Sequence, residues 1–263
     1  MQRPHIGRVG PIPPLGGFGG FPMGGFHMGG QNRRRDPFFY ILVVQLLHKI
    51  YELPNKPPVT LGIMALCTAV HFAKDLSPDM AALIPPLDYG CLSPFSVVHG
   101  GQWPRLLWSA ILHASDYHLY YNMSSLLLKG VQLELRVGPK RFGALVAWLT
   151  LLSQGLYALG AFWVGESYPR WRSLSRAECA CGLSGLLFAL KYALTHDQPG
   201  FSTVWGLPIS LPTKYIAWAE LLLIHYLIPN TSFAGHLAGI CAGALHVHVL
   251  SRLTSWDAIV QML

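Results

Sequence analysis

The chain has 263 residues, of which 52% are hydrophobic and only 12% are charged, and its formal net charge is +7. Soluble domains average about 25% charged residues, so this composition excludes an ordinary soluble domain and indicates a membrane protein. The positive charge does not indicate nucleic-acid binding, because the basic residues cluster in the first 35 positions and at the ends of apolar runs, without a basic-aromatic groove or fold motif.

The two ends of the chain differ from its middle. Residues 1–36 are a low-complexity stretch rich in Gly, Phe and Pro that contains the basic run Arg33 to Arg35. Such a stretch cannot bury a core, so we expect it to be disordered and the arginines to retain it in the cytoplasm. Residues 37–57 are apolar with polar interruptions, which favours an interfacial helix or a linker. Residues 251–263 are expected to form a short cytoplasmic tail.

The middle of the chain, residues 58–250, contains six apolar runs of about the length that membrane spans require. We therefore predict an all-α membrane protein, with a six-transmembrane-helix bundle over residues 58–250. Several runs are short, so their boundaries are soft. The six runs are Pro58–Ala73, Tyr117–Leu133, Phe142–Val164, Ala180–Leu194, Tyr215–Ile228 and Ser232–Leu250.

The order of the runs predicts which polar side chains meet. With a cytoplasmic N-terminus, which the basic loop residues favour overall, the second, fourth and sixth runs all enter from the outer side. Ser184 stands near the start of the fourth run, His236 near the start of the sixth, and His118 and Asn122 near the start of the second. We therefore expect these four side chains to share one outer layer of the bundle.

Small residues predict which helices touch, because ridges of small side chains let helix backbones approach closely in lipid. Ser184 borders one such ridge and His236 shares a face with another, so we expect a hydrogen bond between the hydroxyl and the imidazole. Neither run carries an acidic residue near this pair, so a dyad is expected rather than a triad. The ridges are Gly185, Ala189 and Ala193 on the fourth run and Gly235, Gly239 and Gly243 on the sixth.

A serine hydroxyl beside a histidine base is suited to acyl transfer, which develops an oxyanion that preorganised donors stabilise. His118 and Asn122 share a helix face, and together with the backbone N–H groups from Gly182 to Ser184 they are the candidate oxyanion donors. Each motif alone also has a structural interpretation. Gly-x-Ser-Gly occurs as a helix-packing patch, and a lone His236 would suit an interhelical polar contact.

Taken together, the motifs resemble those of the rhomboid intramembrane serine proteases. The chain carries Gly-x-Ser-Gly from Gly182, His-x-x-x-Asn from His118, Glu-x-Arg from Glu134 and Gly-His-x-x-Gly-x-x-x-Gly from Gly235, in matching order. The resemblance implies a six-span core, a Ser-His catalytic dyad and cleavage of transmembrane protein substrates in the lipid bilayer.

The resemblance also implies supporting roles for residues around the dyad. Phe188 matches the aromatic position against which the catalytic histidine stacks in the family. The Trp-Arg pair of the first outer loop departs from the family pattern, because Pro104 separates the two residues. Structural roles are predicted for Trp103, Arg105, Glu134, Arg136, Gly185, Phe188, Gly239 and Gly243.

Location and partners follow from the same resemblance. The stretches that begin at Gly182 and Thr231 are most similar to an endoplasmic reticulum member of the family, so that membrane is the expected location. The mitochondrial inner membrane is the alternative, because residues 1–35 contain arginine and no acidic residue. That member carries a cytosolic tail resembling a ubiquitin-linked degradation factor, whereas this chain stops at Leu263. Ubiquitin-pathway partners therefore cannot be carried over from that member, and the distribution of basic residues predicts no nucleic acid partner.

Several alternative functions compete with that of a serine protease. No His-Glu-x-x-His occurs and no Asp lies in a confident span, which argues against zinc and aspartyl proteases, so neither a metal nor a cofactor is predicted. A derlin-like relative that binds misfolded substrates without cutting is the main alternative, although such relatives lack the catalytic pair. A transporter is disfavoured because no inverted repeat is evident. The sequence leaves open the role of Glu220 and whether Cys91 and Cys179 pair.

Overall fold

The structure is a computed structural model that describes residues 36–204, 207–228 and 231–250. The predicted disordered segment before Asp36 and the predicted tail 251–263 lie outside the described residues. The described residues are largely helical, so the predicted helical class is confirmed. The helices are α1 Pro37–Glu52, α2 Pro58–Leu76, α3 Pro78–Ala82, α4 Leu87–Gly90, α5 Pro94–Val98, α6 Arg105–Ile111, α7 Asp116–Val137, α8 Pro139–Ser167, α9 Arg172–Arg176, α10 Ser184–Thr195, α11 Ile216–Leu227 and α12 Phe233–Leu245.

A small strand pair departs from the all-α prediction. Strands β1 Phe201–Thr203 and β2 Ser210–Pro212 pair antiparallel between α10 and α11. The Ser202 hydroxyl also lies 3.0 Å from that of Thr213, which steadies the hairpin. Each strand is only three residues long, too short for its alternation to be recognised in the sequence.

All six predicted runs contain a long helix, namely α2, α7, α8, α10, α11 and α12. The predicted start of the fourth run at Ala180 is wrong, because α10 begins only at Ser184. Gly182 has a φ of 93°, which a right-handed helix does not accommodate, and Ala180 exchanges two backbone hydrogen bonds with Leu92. The residues from Ala180 to Leu183 therefore lie outside the helix, and the serine stands at the first turn of α10.

Membrane spans are harder to recognise than helices. Within the described ranges, α8 is the one helix that is both long and apolar enough to cross a membrane, and a bent pair, Pro58–Ala73 with Pro78–Gly90, would make a second. Helix α10 has 12 residues and is therefore only about 18 Å long, against about 30 Å of hydrocarbon. Helix α7 has 22 residues, but polar side chains interrupt its apolar sequence. Six spans therefore stay a prediction.

The surface of α8 nevertheless favours a lipid environment. One face is buried around Leu149 and Tyr157, while Trp148, Leu159 and Trp163 on the remaining surface are exposed. Soluble monomers rarely expose contiguous apolar patches of this kind. The fully buried Leu126, Leu149 and Leu190 place the main core between α7, α8 and α10.

Helix α1 packs into that core along α7. Asp36 caps α1 by accepting from the N–H of Phe38 at 2.9 Å, and it also accepts from the hydroxyl of Tyr117, at the start of α7, at 2.7 Å. The rings of Phe39 and Tyr117 lie 5.9 Å apart. The carboxylate thus ties the beginnings of the two helices together.

Glu134 holds the start of α2 against the end of α7. The capping position of α2, Pro57, has no side chain that accepts a hydrogen bond. Glu134 caps α2 instead. Its carboxylate accepts hydrogen bonds from the N–H groups of Val59 and Thr60, both at 2.8 Å, and from the Thr60 hydroxyl at 2.7 Å. The carboxylate is almost fully buried, so these charge-assisted bonds replace its hydration. Arg136 is exposed on the same last turn of α7.

The disulfide that the sequence left open is formed. Cys91 and Cys179 are bonded, with their Cα atoms 5.4 Å apart and a sequence separation of 88. Their neighbours Leu92 and Ala180 are the two residues that exchange backbone hydrogen bonds. The loop between α4 and α5 is therefore fastened, covalently and by hydrogen bonds, to the segment that precedes Ser184.

We expect Cys91→Ser to lower the free energy of unfolding by about 2–4 kcal/mol, because the bond closes a long loop and restricts the unfolded chain. Chemical denaturation of the purified protein in detergent would measure the loss. Cys241→Ser is the matched control, since Cys241 is an exposed free cysteine. Equal unfolding free energies for the two variants would contradict the expectation.

Candidate active site

The segment before Ser184 is shaped by Gly182. Its N–H donates to the carbonyl of Ser109 at 2.7 Å, and its φ of 93° is strained for any residue with a side chain. A Cβ added at Gly182 would lie 2.7 Å from Nε2 of His118. Only glycine therefore allows the backbone to turn into α10 while His118 packs against it.

His236 lies in the first turn of α12 and faces α10. Ser232 caps α12, accepting from the N–H of Gly235 with its hydroxyl at 3.1 Å and from the N–H of His236 with its carbonyl at 3.2 Å. The imidazole stacks on Phe188, with ring centroids 4.7 Å apart and 34° between the planes. Phe188 is one turn after Ser184, so the imidazole lies on the same side of α10 as the hydroxyl.

Helices α10 and α12 meet along the two predicted ridges of small residues. A Cβ at Gly239 would overlap the carbonyl oxygen of Gly185, and a Cβ at Gly243 would lie 2.6 Å from that of Ala189. The carbonyl of Gly235 is 3.6 Å from the corresponding position at Gly185. The prediction that the ridges face each other is confirmed, and the two backbones are in direct contact.

The expected hydrogen bond between Ser184 and His236 is not formed. In the part of the chain that the structure describes, no side-chain hydrogen bond joins the two residues, and Nδ1 of His236 is buried without a partner. Hydrogen bonds between a nucleophile and its base are often long or misaligned before substrate binds.

His118 and Asn122 line the same region from α7. The amide nitrogen of Asn122 donates to the carbonyl of His118 at 2.9 Å, while its oxygen is buried and has no partner among the residues that the structure describes. An amide nitrogen carries two protons, so one remains for a further acceptor. His118 packs against Gly182 in the segment that leads into Ser184, and Asn122 lies one turn farther along the same face of α7.

One of the predicted oxyanion donors must be corrected. The N–H of Gly182 is already committed to Ser109, so it is unavailable to a substrate. Among the described residues, the N–H groups of Leu183 and Ser184 donate to no carbonyl, because they belong to the first turn of α10. The backbone oxyanion donors are therefore the N–H groups of Leu183 and Ser184, and not that of Gly182.

His113 also belongs to this site, although no helical motif of the sequence includes it. Its ring lies 5.1 Å from that of His118, and its Cδ2 is 3.5 Å from the position of a Cβ at Gly182. Its Nδ1 lies 3.1 Å from the carbonyl of Ile111, while Nε2 is buried and finds no partner in the described ranges. His113 precedes the first turn of α7, so helical spacing could not relate it to His118.

Trp103 and Arg105, the two residues of the first-loop Trp-Arg pair, differ in solvent exposure. Trp103 is 56% exposed, whereas Arg105 is buried. The Arg105 guanidinium donates to the carbonyls of Asp88 at 2.9 Å and Cys91 at 2.8 Å. Because Cys91 is bonded to Cys179, Arg105 supports the loop that is fastened to the segment before Ser184.

Glu220, whose role was open, forms an ion pair with Lys191 at 2.8 Å between α11 and α10. The two side chains are 14% and 23% exposed. A paired charge of this kind satisfies a carboxylate that would be costly alone in an apolar region. Glu220 therefore contacts a neighbouring helix and not the side chains around Ser184.

Comparison with known proteins identifies close relatives. A family model described as the Rhomboid domain matches residues 100–253. The chain is 40% identical to Rhomboid-related protein 4 of Mus musculus over 206 residues, 76% of this chain and 61% of the relative. It is 36% identical to Rhomboid-like protein 14, mitochondrial, of Arabidopsis thaliana over 223 residues, 83% of this chain and 64% of the relative.

A more distant relative is named as an enzyme. Rhomboid-type serine protease 2 of Eremothecium gossypii is 26% identical over 193 residues, covering 73% of this chain and 67% of the relative. The chain spans slightly less than two thirds of the length of the more similar relatives. The match to the family model covers α6 to α12, and hence every side chain of the site described above.

Proposed function

The chain belongs to the rhomboid family of integral membrane proteins, and on this premise we propose that it is an intramembrane serine endopeptidase that cuts transmembrane segments of other proteins. The observation that carries the proposal is the stacking of His236 on Phe188, one turn after Ser184, together with the packing of His118 against the segment before Ser184. Within the described residues, three buried polar atoms of this site lack partners: Nε2 of His113, Oδ1 of Asn122 and Nδ1 of His236. Unsatisfied buried groups are rare in structural cores and suit a site that receives a polar ligand.

The proposed reaction begins when the hydroxyl of Ser184 attacks the carbonyl carbon of the scissile peptide bond and passes its proton to His236. The new C–O bond leaves a negative charge on the carbonyl oxygen, which Asn122 and the N–H groups of Leu183 and Ser184 stabilise. Collapse breaks the C–N bond, and His236 returns the proton to the leaving amine. A water molecule, deprotonated by His236, then releases the carboxylate and restores Ser184.

We propose that α2, α7, α8, α10, α11 and α12 are the six spans and that the endoplasmic reticulum is the membrane concerned. The location of each of these helices within one of the six apolar runs supports the first proposal. The similarity to Rhomboid-related protein 4 underlies the second, and the relative named as mitochondrial keeps the mitochondrial inner membrane as the alternative. Co-localisation of the tagged chain with markers of each membrane would separate the two locations.

A non-catalytic role in binding substrates is the second candidate. The missing hydrogen bond between Ser184 and His236 in the described residues favours it. A fluorophosphonate probe, which labels an activated serine, separates the two candidates. Labelling of the wild type at Ser184, lost in His236→Ala, would support the protease, whereas no labelling of well-folded protein would support the binding role.

The direct test uses the purified full chain with a transmembrane substrate in detergent and in liposomes. We expect two cleavage products with the wild type and none with Ser184→Ala. Equal product formation by both proteins would contradict the proposed function.

Asn122→Ala is expected to lower kcat by about 10- to 1000-fold with little change in substrate binding, because an oxyanion donor acts mainly in the transition state. Single-turnover measurements with saturating enzyme would separate the two quantities. A loss confined to substrate affinity would instead identify Asn122 as a binding residue. Ser125→Ala, on the same helix, is the control.

Substrates should be cut close to the membrane surface on the side of Ser184, at helices carrying Gly, Pro or polar residues there. Peptide groups in a stable helix are hydrogen-bonded and shielded, and unwinding them in hydrocarbon leaves them without partners. Mass spectrometry of the products would locate the cuts. Equal cleavage of a matched all-leucine helix would contradict the expectation.

A further inference from the structure

Glu178 connects three separate parts of the structure. It lies between α9 and α10, six residues before Ser184, and it is half-buried. Its Oε2 atom accepts hydrogen bonds from the hydroxyl of Tyr157 on α8 at 3.1 Å and from the hydroxyl of Ser232 at 3.0 Å. Ser232 is the capping residue of α12, the helix that carries His236.

The bond to Ser232 determines how that cap is oriented. A serine hydroxyl has one proton and two lone pairs, and here the proton goes to Glu178 while a lone pair accepts from the N–H of Gly235 at 3.1 Å. Without the carboxylate, the hydroxyl is free to rotate and the cap is weakened. A negative charge at this end of α12 is also favourable to the helix dipole.

The backbone that follows Glu178, toward Ser184, is also held in place. Cys179 is bonded to Cys91, and Ala180 is paired with Leu92. The Cβ of Ala180 also lies 3.9 Å from the position of a Cβ at Gly235, so this segment touches the first turn of α12. Glu178 therefore joins the segment that carries Ser184 to the helix that carries His236.

We infer that Glu178 is a positioning residue, which holds His236 opposite Ser184 by ordering the cap of α12 through Ser232. Within the described residues it contacts neither member of the dyad, and it takes no part in the proposed proton transfers. The inference rests on the proposed function for its catalytic consequence, but the ordering of α12 is a property of the structure alone. Glu178 lies outside the fourth and sixth apolar runs, so helical spacing could not relate it to Ser184 or His236.

The kinetic test compares Glu178→Ala with Glu178→Gln, which keeps a carbonyl acceptor without the charge. We expect Glu178→Ala to lower kcat by about 10- to 100-fold with KM changed less than about 2-fold, because a displacement of about 1 Å suffices for such a loss. Glu178→Gln should stay within about 3-fold of the wild type, since a neutral acceptor replaces most of the hydrogen bonding. If Gln proves as damaging as Ala, the charge is required and a positioning role is wrong.

Two further variants make the assignment specific. Ser232→Ala should reproduce the loss of Glu178→Ala, and the double variant should be no worse than either, because both act through one contact. Glu166→Ala is the matched control, since this carboxylate at the end of α8 pairs with Arg176 at 2.9 Å. Losses that multiply in the double variant, or equal activities for Glu178→Ala and Glu166→Ala, would overturn the inference.

A measurement independent of catalysis separates this inference from the proposed function. Amide hydrogen exchange, followed by mass spectrometry of peptides covering residues 231–240, should be faster in Glu178→Ala than in wild type and Glu166→Ala, while exchange in α8 is unchanged. Unchanged exchange in this turn would overturn the inference even for an active protease. Faster exchange in a chain that cleaves no substrate would uphold the structural role and reject the proposed function. If Glu178→Ala fails to fold, Ser232→Ala provides the same comparison.

Discussion

Replacing Ser184 by alanine is expected to reduce cleavage of a transmembrane substrate to background, and replacing His236 by alanine is expected to do the same. Nucleophile and base act as a unit, so the loss of either removes nearly the whole effect, about 10⁴-fold or more. Quantification of products from purified, reconstituted variants would measure it. Neither change should prevent folding, because Ser184 makes no side-chain hydrogen bond in the described residues and His236 packs mainly on Phe188.

Two controls keep this result interpretable. Ser125→Ala removes a hydroxyl from the middle of α7, and His48→Ala removes an exposed imidazole from α1. Both should retain wild-type turnover. Residual cleavage by Ser184→Ala at more than about a hundredth of the wild-type rate would show that another group is the nucleophile, since the proposed mechanism leaves only background.

Gly239→Val is expected to lower activity by about 100-fold without altering any catalytic atom. Even a Cβ at this position overlaps the carbonyl of Gly185, which is backbone and cannot rotate away. The helices must separate, and Ser184 and His236 separate with them. Overpacking of this kind also lowers the free energy of unfolding by about 1–3 kcal/mol, which denaturation in detergent would detect.

The matched control is Gly160→Val, the same change in a helix where a Cβ would meet nothing within 4 Å. Gly243→Ala offers an intermediate case, because its Cβ would lie 2.6 Å from the carbonyl of Ala189, one turn farther from the dyad. We expect the loss of activity to increase from Gly160→Val to Gly243→Ala to Gly239→Val. Normal activity in well-expressed Gly239→Val would contradict the close contact on which the site depends.

The sequence by itself determined the helical class, six of the long helices and the pairing of two of them. Apolar runs predict helices because burial acts on each segment separately, and glycines four residues apart predict close contact because they remove side chains from one face. The positions of Ser184 and His236 at the first turns of α10 and α12 followed from the same local spacing. Of the fourth helix, only the start was misplaced.

Only the tertiary structure decided which distant groups are bonded. Glu134 caps α2 from 74 residues away, Cys179 pairs with Cys91, and the N–H of Gly182 is committed to Ser109. Glu178 likewise contacts Ser232 across 54 residues. Periodicity records the face on which a residue lies within its own helix. A hydrogen bond between segments depends on how those segments are placed relative to each other, and that placement results from packing of the whole chain.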